Sequence, residues 1–170
     1  MSMRKVWQAV SLLVLVAWAA PVAGLALTRD AAYVPIAGGV VLLELLVRAL
    51  HLVPLAMHRG VLARPAGARD CSGLNGMPSG HVAIVTFAAL SCLYAEVASG
   101  RLSDARAVFA ARVGCSALVG AVAAARVAVA CHTPLQAVAG ALLGALASLV
   151  VAAALARGSM ETERESVDKI

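Results

Sequence analysis

The sequence predicts an all-α integral membrane protein, a helical bundle of about five transmembrane spans. Apolar residues make up 62% of the 170 residues and charged residues only 14%, whereas soluble domains are roughly half apolar and a quarter charged. Five apolar runs, each of about the 20 residues that cross a bilayer, alternate with polar segments. A chain of this length forms one compact bundle, so we expect a single domain over residues 1–156.

The first apolar run covers residues 6–27 and follows Arg4 and Lys5. Small residues near its end resemble a signal-peptidase site, so a cleaved signal peptide is the competing interpretation. The run is longer than the apolar core of a signal peptide, about 7–15 residues. We therefore favour a retained transmembrane helix.

The second run, residues 34–56, is interrupted by Glu44, Arg48 and His51. Spacings of four and three residues place all three on one face of a helix. Charged side chains inside a membrane pair with each other or line a cavity. We expect Glu44 and Arg48 to form an internal ion pair that positions this helix.

The remaining spans cover residues 81–99, 106–126 and 134–156. In the last span, Gly140 and Gly144 form a GxxxG pattern that Ala137 and Ser148 extend, which predicts close helix packing. The sequence leaves open whether the chain forms homo-oligomers. Residues 157–170 are charged and lack apolar periodicity, which predicts a disordered or solvated tail.

Composition argues against two classes of function. The net charge of +5 comes from fourteen Lys and Arg residues scattered singly without an aromatic platform, so nucleic acid is not an expected partner. The four cysteines include no CxxC pair, which argues against zinc. Cys92 and Cys115 fall inside apolar runs, whereas Cys71 and Cys131 can form a disulfide if their side of the membrane is oxidising.

Five spans place the polar stretches 57–80 and 126–133 on the same side of the membrane. These stretches contain three short elements: Arg64-Pro65, then Pro78-Ser79-Gly80-His81, then Arg126 with His132 six residues later. In order and spacing they resemble the type 2 phosphatidic acid phosphatase (PAP2) superfamily, over residues 57–136. The resemblance implies a membrane-bound phosphatase with His132 as nucleophile, through a phosphohistidine.

The residue types suit this chemistry. Phosphate removal needs a nucleophile, a proton donor for the leaving oxygen, and positive groups around the phosphoryl oxygens. His81 can be the general acid, and the planar guanidinium groups of Arg64 and Arg126 can hold the oxygens. A lone histidine beside a span usually only caps or snorkels, but two histidines and two arginines on one side argue against that reading.

Ser79 and Gly80 begin a helix, so their backbone N–H groups can also face an anion. The sequence offers no carboxylate cluster near these residues that could hold Mg²⁺. We therefore expect no metal and no cofactor.

Three positions depart from the family pattern: Met57 replaces a lysine, Ala125 a serine and Gln136 an aspartate. Arg59 can supply part of the missing charge. We expect the Gln136 side-chain oxygen to accept a hydrogen bond from His132, since residues four apart share a helix face. The stretch Gly76-Met77-Pro78-Ser79, and His132-Thr133 with Gln136, resemble the dolichyl diphosphate phosphatase branch.

The expected function is hydrolysis of a lipid phosphate or diphosphate in the membrane. Met57 and Gln136 motivate an alternative, a catalytically impaired relative that binds anionic lipid or serves as a structural membrane component. A transferase of lipid headgroups is a second alternative. The basic residues divide between the site's side (Arg4, Lys5, Arg59, Arg69) and the opposite side (Arg29, Arg101, Arg106, Arg157, Arg164, Lys169). This count favours a lumenal or extracytoplasmic site, although Arg4 and Lys5 before the first span argue the other way.

Overall fold

The structure is a computed structural model that describes residues 3–52, 65, 71 and 76–167. These residues form six α-helices: α1 Met3–Ser11, α2 Val14–Thr28, α3 Tyr33–Leu52, α4 Gly80–Ala98, α5 Ala105–Ala128 and α6 Pro134–Val167. Five segments are long and apolar enough to cross a membrane: Lys5–Thr28, Tyr33–Leu52, Gly80–Ala98, Ala105–Ala128 and Pro134–Gly158. The predicted all-α bundle of five spans is therefore confirmed.

Helix α4 lies at the centre of the bundle and packs against α2, α3, α5 and α6. Half of its apolar segment is buried, compared with 6% for α5. The outer surface carries large apolar side chains such as Phe109, Leu142 and Leu146, all more than 60% exposed. Such a surface suits lipid, where helices satisfy their own backbone hydrogen bonds.

The small-residue stripe of α6 packs tightly against α4, as the sequence predicted. A Cβ atom at Gly140 would collide with the Ser79 carbonyl, and one at Gly144 with the Ala83 carbonyl. Ser148 accepts a hydrogen bond from a serine of α4 at 3.1 Å. This packing fixes the start of α4 against the start of α6.

The two turns on the opposite side of the membrane are joined by Arg101. Its guanidinium donates to Asp30 at 2.9 Å and to Glu96 at 3.0 Å, and it lies over the Tyr33 ring. Tyr33 also donates its hydroxyl hydrogen to Glu96. The backbone N–H of Ala32 and then Arg101 lower the pKa of Asp30, and the two carboxylates raise the pKa of Arg101.

Helix α3 ends at Leu52, and residues 53–56 of the predicted second span lie outside the described residues. Helix α6 continues to Val167, so residues 157–167 are helical where the charge pattern predicted a disordered or solvated tail. Extending an existing helix avoids the cost of nucleation, and the Glu and Arg residues there are good helix formers.

Candidate active site

A cavity of about 600 Å³ opens among four spans, on the side where α3 ends and α4 begins. Its lining combines polar and apolar residues: Val14, Trp18, Glu44, Val47, Arg48, His51, Leu52, Gly80, His81, Ile84, Arg126 and His132. Cavities of this size hold small molecules or lipid headgroups. The volume exceeds that of a single phosphate, so the cavity can also hold part of a larger ligand.

The structure brings most of the predicted site residues together. His81, Arg126, His132 and Gly80 all line the cavity. Ser79 is fully buried beside them, and its hydroxyl finds no hydrogen-bond partner in the described part of the chain. Arg64 lies outside the described residues.

The chain positions Arg126 and His132 through one backbone carbonyl. The carbonyl oxygen of Arg126, in the last turn of α5, accepts the backbone N–H of Cys131 at 3.1 Å and that of His132 at 3.2 Å. Ala130, which lies between Arg126 and His132, adopts a positive φ of 59°, and this left-handed conformation reverses the direction of the chain. The two side chains therefore reach the same cavity from a short, tight connection.

The imidazole of His132 is held by a backbone carbonyl. Its Nδ1 atom lies 2.7 Å from the Gly76 oxygen, and a carbonyl only accepts, so Nδ1 carries the proton. In the neutral ring the lone pair then belongs to Nε2. His132 is only 3% exposed, which keeps its ring in one orientation.

Gln136 has a different role from the one expected. Its side-chain oxygen accepts a hydrogen bond from the backbone N–H of Thr133 at 3.0 Å. The hydrogen bond from Nδ1 of His132 goes to the Gly76 carbonyl and not to Gln136. Its backbone oxygen accepts the N–H of Ser79 at 3.0 Å. Gln136 is fully buried, and a Cβ atom on Gly76 would lie 2.6 Å from its side-chain oxygen. Through these contacts Gln136 supports the segment that orients His132. A neutral amide suits this buried position better than a carboxylate, because burial of a charge costs more free energy.

Two further contacts fix the segment that leads into α4. His51 donates from Nε2 to the Pro78 carbonyl at 2.8 Å. Cys71 and Cys131 form a disulfide with Cα atoms 5.7 Å apart, so the pairing that the sequence left open is present. Gly80 lies close to α3, with space for a Cβ atom limited by Val47 at 2.9 Å.

The predicted pairing of Glu44 with Arg48 is confirmed, while its role in positioning the helix stays a prediction. The Arg48 Nε atom lies 2.6 Å from the Glu44 carboxylate. Both side chains, with His51, face the cavity that contains His81 and His132. The pair therefore belongs to the wall of the candidate site.

Sequence reasoning missed two contributors. Gly76 was noted only as part of a family resemblance, and its carbonyl proves to hold His132. The first span supplies Val14 and Trp18 to the cavity wall, which no motif indicated. Backbone carbonyls and apolar wall residues carry no chemical signature in a single sequence.

The fold and the site define a multi-pass membrane protein with histidines and arginines gathered in a cavity at one end of its spans. Comparison with protein-family models matches residues 40–158 to the PAP2 superfamily. The match covers more than half of the chain, which therefore belongs to this superfamily. Proteins of the family usually hydrolyse phosphate esters.

Comparisons with curated proteins and with solved structures returned no match. The resemblance to the dolichyl diphosphate phosphatase branch accordingly remains a prediction.

Proposed function

We propose that this protein is a membrane-embedded phosphatase that hydrolyses a lipid phosphate or diphosphate through a phosphohistidine. The observation that carries the proposal is the lining of one cavity by His81, Arg126 and His132. Histidines supply both nucleophile and proton, and arginine supplies charge that a phosphoryl group needs. Superfamily membership supports the same reaction class.

In the first step the Nε2 lone pair of His132 attacks phosphorus. The N–P bond forms while the bond from phosphorus to the leaving oxygen breaks, and its electron pair stays on that oxygen. His81 donates a proton to the oxygen. Nδ1 of His132 keeps its proton and its bond to the Gly76 carbonyl, which stabilises the positive ring.

In the second step water attacks the phosphohistidine. His81, now neutral, accepts a proton from the water as the new O–P bond forms. The P–N electron pair returns to Nε2 of His132, and inorganic phosphate leaves. Arg126 holds the phosphoryl oxygens in both steps. The family resemblance assigns Arg64 to the same task.

The apolar wall supports a lipid as substrate. Val14, Trp18 and Ile84 line the cavity beside the polar groups, so an acyl or prenyl chain can remain in contact with apolar side chains. Chains of this kind gain about 0.8 kcal/mol per buried CH₂ group. A water-soluble phosphate ester gains nothing from this wall.

The Cys71–Cys131 disulfide supports a site on the lumenal or extracytoplasmic face, because disulfides persist in oxidising compartments. After treatment with a reductant, a membrane-impermeant maleimide should label these two cysteines in intact cells if the site is extracellular, and only after detergent opens the internal membranes if it is lumenal. Labelling once digitonin has opened the plasma membrane alone would place the site in the cytosol.

Purified protein in nanodiscs tests the activity. We expect phosphate release from phosphatidic acid or from a prenyl diphosphate, and at least a 1,000-fold lower rate for His132→Ala, since losing a nucleophile costs at least that much. Quenching a reaction with radiolabelled substrate in detergent at alkaline pH, where phosphohistidine is stable, should trap phosphate on the parent protein and not on this variant. Melting temperatures of both proteins control for folding.

The impaired, lipid-binding alternative rests on Met57 and Gln136. It is favoured if the parent binds vesicles of phosphatidic acid but releases no phosphate. Transfer of the phosphate-linked headgroup to an added lipid alcohol, in place of release to water, would favour the transferase.

A further inference from the structure

The polar stripe of α3, formed by Glu44, Arg48 and His51, lies in the cavity wall and takes no part in the reaction described above. His51 marks the level of the site, because it donates to the Pro78 carbonyl immediately before Ser79. A helix rises about 1.5 Å per residue. Arg48 therefore lies about 4.5 Å deeper in the membrane than His51, on the same face of α3.

Arg48 has N–H groups that its ion pair with Glu44 does not use. Its Nε atom is bonded to the Glu44 carboxylate, and its Nη atoms contact no acceptor within the part of the chain that the structure describes. The side chain is 71% exposed and faces the cavity. A guanidinium has five N–H groups, so four of them are available to a ligand.

Glu44 lies one turn deeper than Arg48, on the side away from the site. Its side chain is 21% exposed. It can hold the guanidinium in place when the cavity is empty and keep one bond when a ligand binds. Placing the ion pair at this depth in the membrane costs less free energy than placing an isolated arginine there.

We propose that Arg48 binds the inner phosphate of a lipid diphosphate, so that the protein prefers diphosphate over monophosphate lipids. This inference rests on the proposed phosphatase function. All the residues in question line the cavity, and their positions along the helices give the order: His81, Arg126 and His132 lie within three residues of a helix end, Arg48 lies four residues inside the end of α3, and Val14 and Trp18 lie nine and thirteen residues into the span Lys5–Thr28. A lipid diphosphate presents its terminal phosphate, its inner phosphate and its hydrocarbon chain in the same order.

The spacing also fits. One oxygen bridges the two phosphorus atoms of a diphosphate, so they lie closer together than one helical turn of about 5.4 Å. Arg48 is less than one turn below His51. When His132 attacks the terminal phosphorus, the bridging oxygen leaves with its electron pair on a lipid monophosphate. Arg48 then faces the group that gains negative charge.

The experiment compares farnesyl diphosphate with farnesyl monophosphate, which share one hydrocarbon chain, using full-length protein in nanodiscs. Products are separated by chromatography, because the monophosphate is also a product of the diphosphate. We expect Arg48→Gln to lower kcat/KM for the diphosphate by about 10-fold to 100-fold, the loss of one or two charge-assisted hydrogen bonds. The monophosphate value should change by less than about 3-fold.

Three further variants separate a role in binding from a role in structure. Glu44→Gln breaks the same ion pair but leaves the cation, so its diphosphate kcat/KM should fall clearly less than that of Arg48→Gln. Arg112→Gln removes an arginine from α5, away from this cavity. It should leave kcat/KM unchanged for both substrates. Arg48→Lys keeps the charge without the planar fork and should fall between the parent and Arg48→Gln.

Equal losses on both substrates in Arg48→Gln and Glu44→Gln would make the pair purely structural and overturn the inference. So would an unchanged diphosphate rate in Arg48→Gln. In both cases a parent that hydrolyses either lipid, with an inactive His132→Ala, leaves the proposed function intact. A parent that hydrolyses neither lipid overturns the proposed function and this inference together.

Discussion

The Nδ1 atom of His132 donates a hydrogen bond to the Gly76 carbonyl at 2.7 Å, across 56 residues of chain. This single bond determines which imidazole nitrogen carries the lone pair. For the proposed reaction, catalysis therefore depends on the position of the 76–79 segment. That segment and His132 are held in place by Gln136, Ser79 and the Cys71–Cys131 disulfide. Replacing these residues should therefore lower the catalytic rate more than the affinity for substrate.

Gly76→Ala should lower kcat by about 10-fold to 100-fold. The new Cβ atom would lie 2.6 Å from the Gln136 side-chain oxygen, so the backbone must shift and the Gly76 carbonyl moves from His132. Overpacking of this kind costs about 1–3 kcal/mol. Phosphate release and thermal unfolding measure the two effects.

Gly114→Ala is the matched control, because a Cβ atom there meets nothing within 4 Å. It should leave kcat unchanged and stabilise α5 slightly. An equal loss of rate in both variants would show that the Gly76 contact has no special role.

Gln136→Asp should reduce activity by about 10-fold or more, although aspartate is the residue of the family pattern. The shorter side chain loses the bond to the Thr133 N–H, and it places a carboxylate in a fully buried position. Gln136→Glu keeps the reach and should retain more activity than Gln136→Asp. A rate above that of the parent in Gln136→Asp would mean that the carboxylate takes over the imidazole and that Gly76 is dispensable.

Much of the fold followed from the sequence because lipid imposes one simple rule. Apolar runs of bilayer length must be helices. Because there are five such runs, the polar stretches 57–80 and 126–133 lie on the same side of the membrane. The Gly140 and Gly144 spacing also predicted the packing of α6, since only small residues allow such close approach.

The site was harder to derive in detail. Motif residues such as His81 and His132 could be placed at one end of the bundle by counting spans. The partner of His132 could not, because every residue has a carbonyl and only the fold selects Gly76. The same holds for Arg48, whose spacing from Glu44 predicted a pair but not a place in the cavity wall.

The network around Arg101 should make stability depend on pH in the acid range. The pKa of Asp30 is lowered in the folded state by the Ala32 N–H and by Arg101. A lowered pKa contributes stability above the unfolded value, and this contribution is lost as pH falls through the folded value. Melting temperature should therefore drop more steeply below the usual carboxyl range in the parent than in Asp30→Asn.

Activity near neutral pH should be equal in these two proteins, because Asp30 lies on the opposite side of the membrane from the cavity. A changed rate with an unchanged melting curve would contradict this separation of roles.

Reduction of the Cys71–Cys131 disulfide should lower both stability and rate. Cys131 immediately precedes His132, and Cys71 precedes the segment that contains Gly76, so the bond ties together the two sides of the hydrogen bond at His132. A native disulfide contributes about 2–4 kcal/mol, and its loss lets these two segments separate. Phosphate release with and without dithiothreitol measures the effect. The double variant Cys71→Ser with Cys131→Ser should match the reduced parent and show no response to dithiothreitol. Cys92→Ser with Cys115→Ser, which changes the free cysteines, should keep the parent's activity and its response. If the reduced parent turns over substrate as fast as the oxidised protein, the hydrogen bonds of Gln136 and His51 alone are sufficient to position His132.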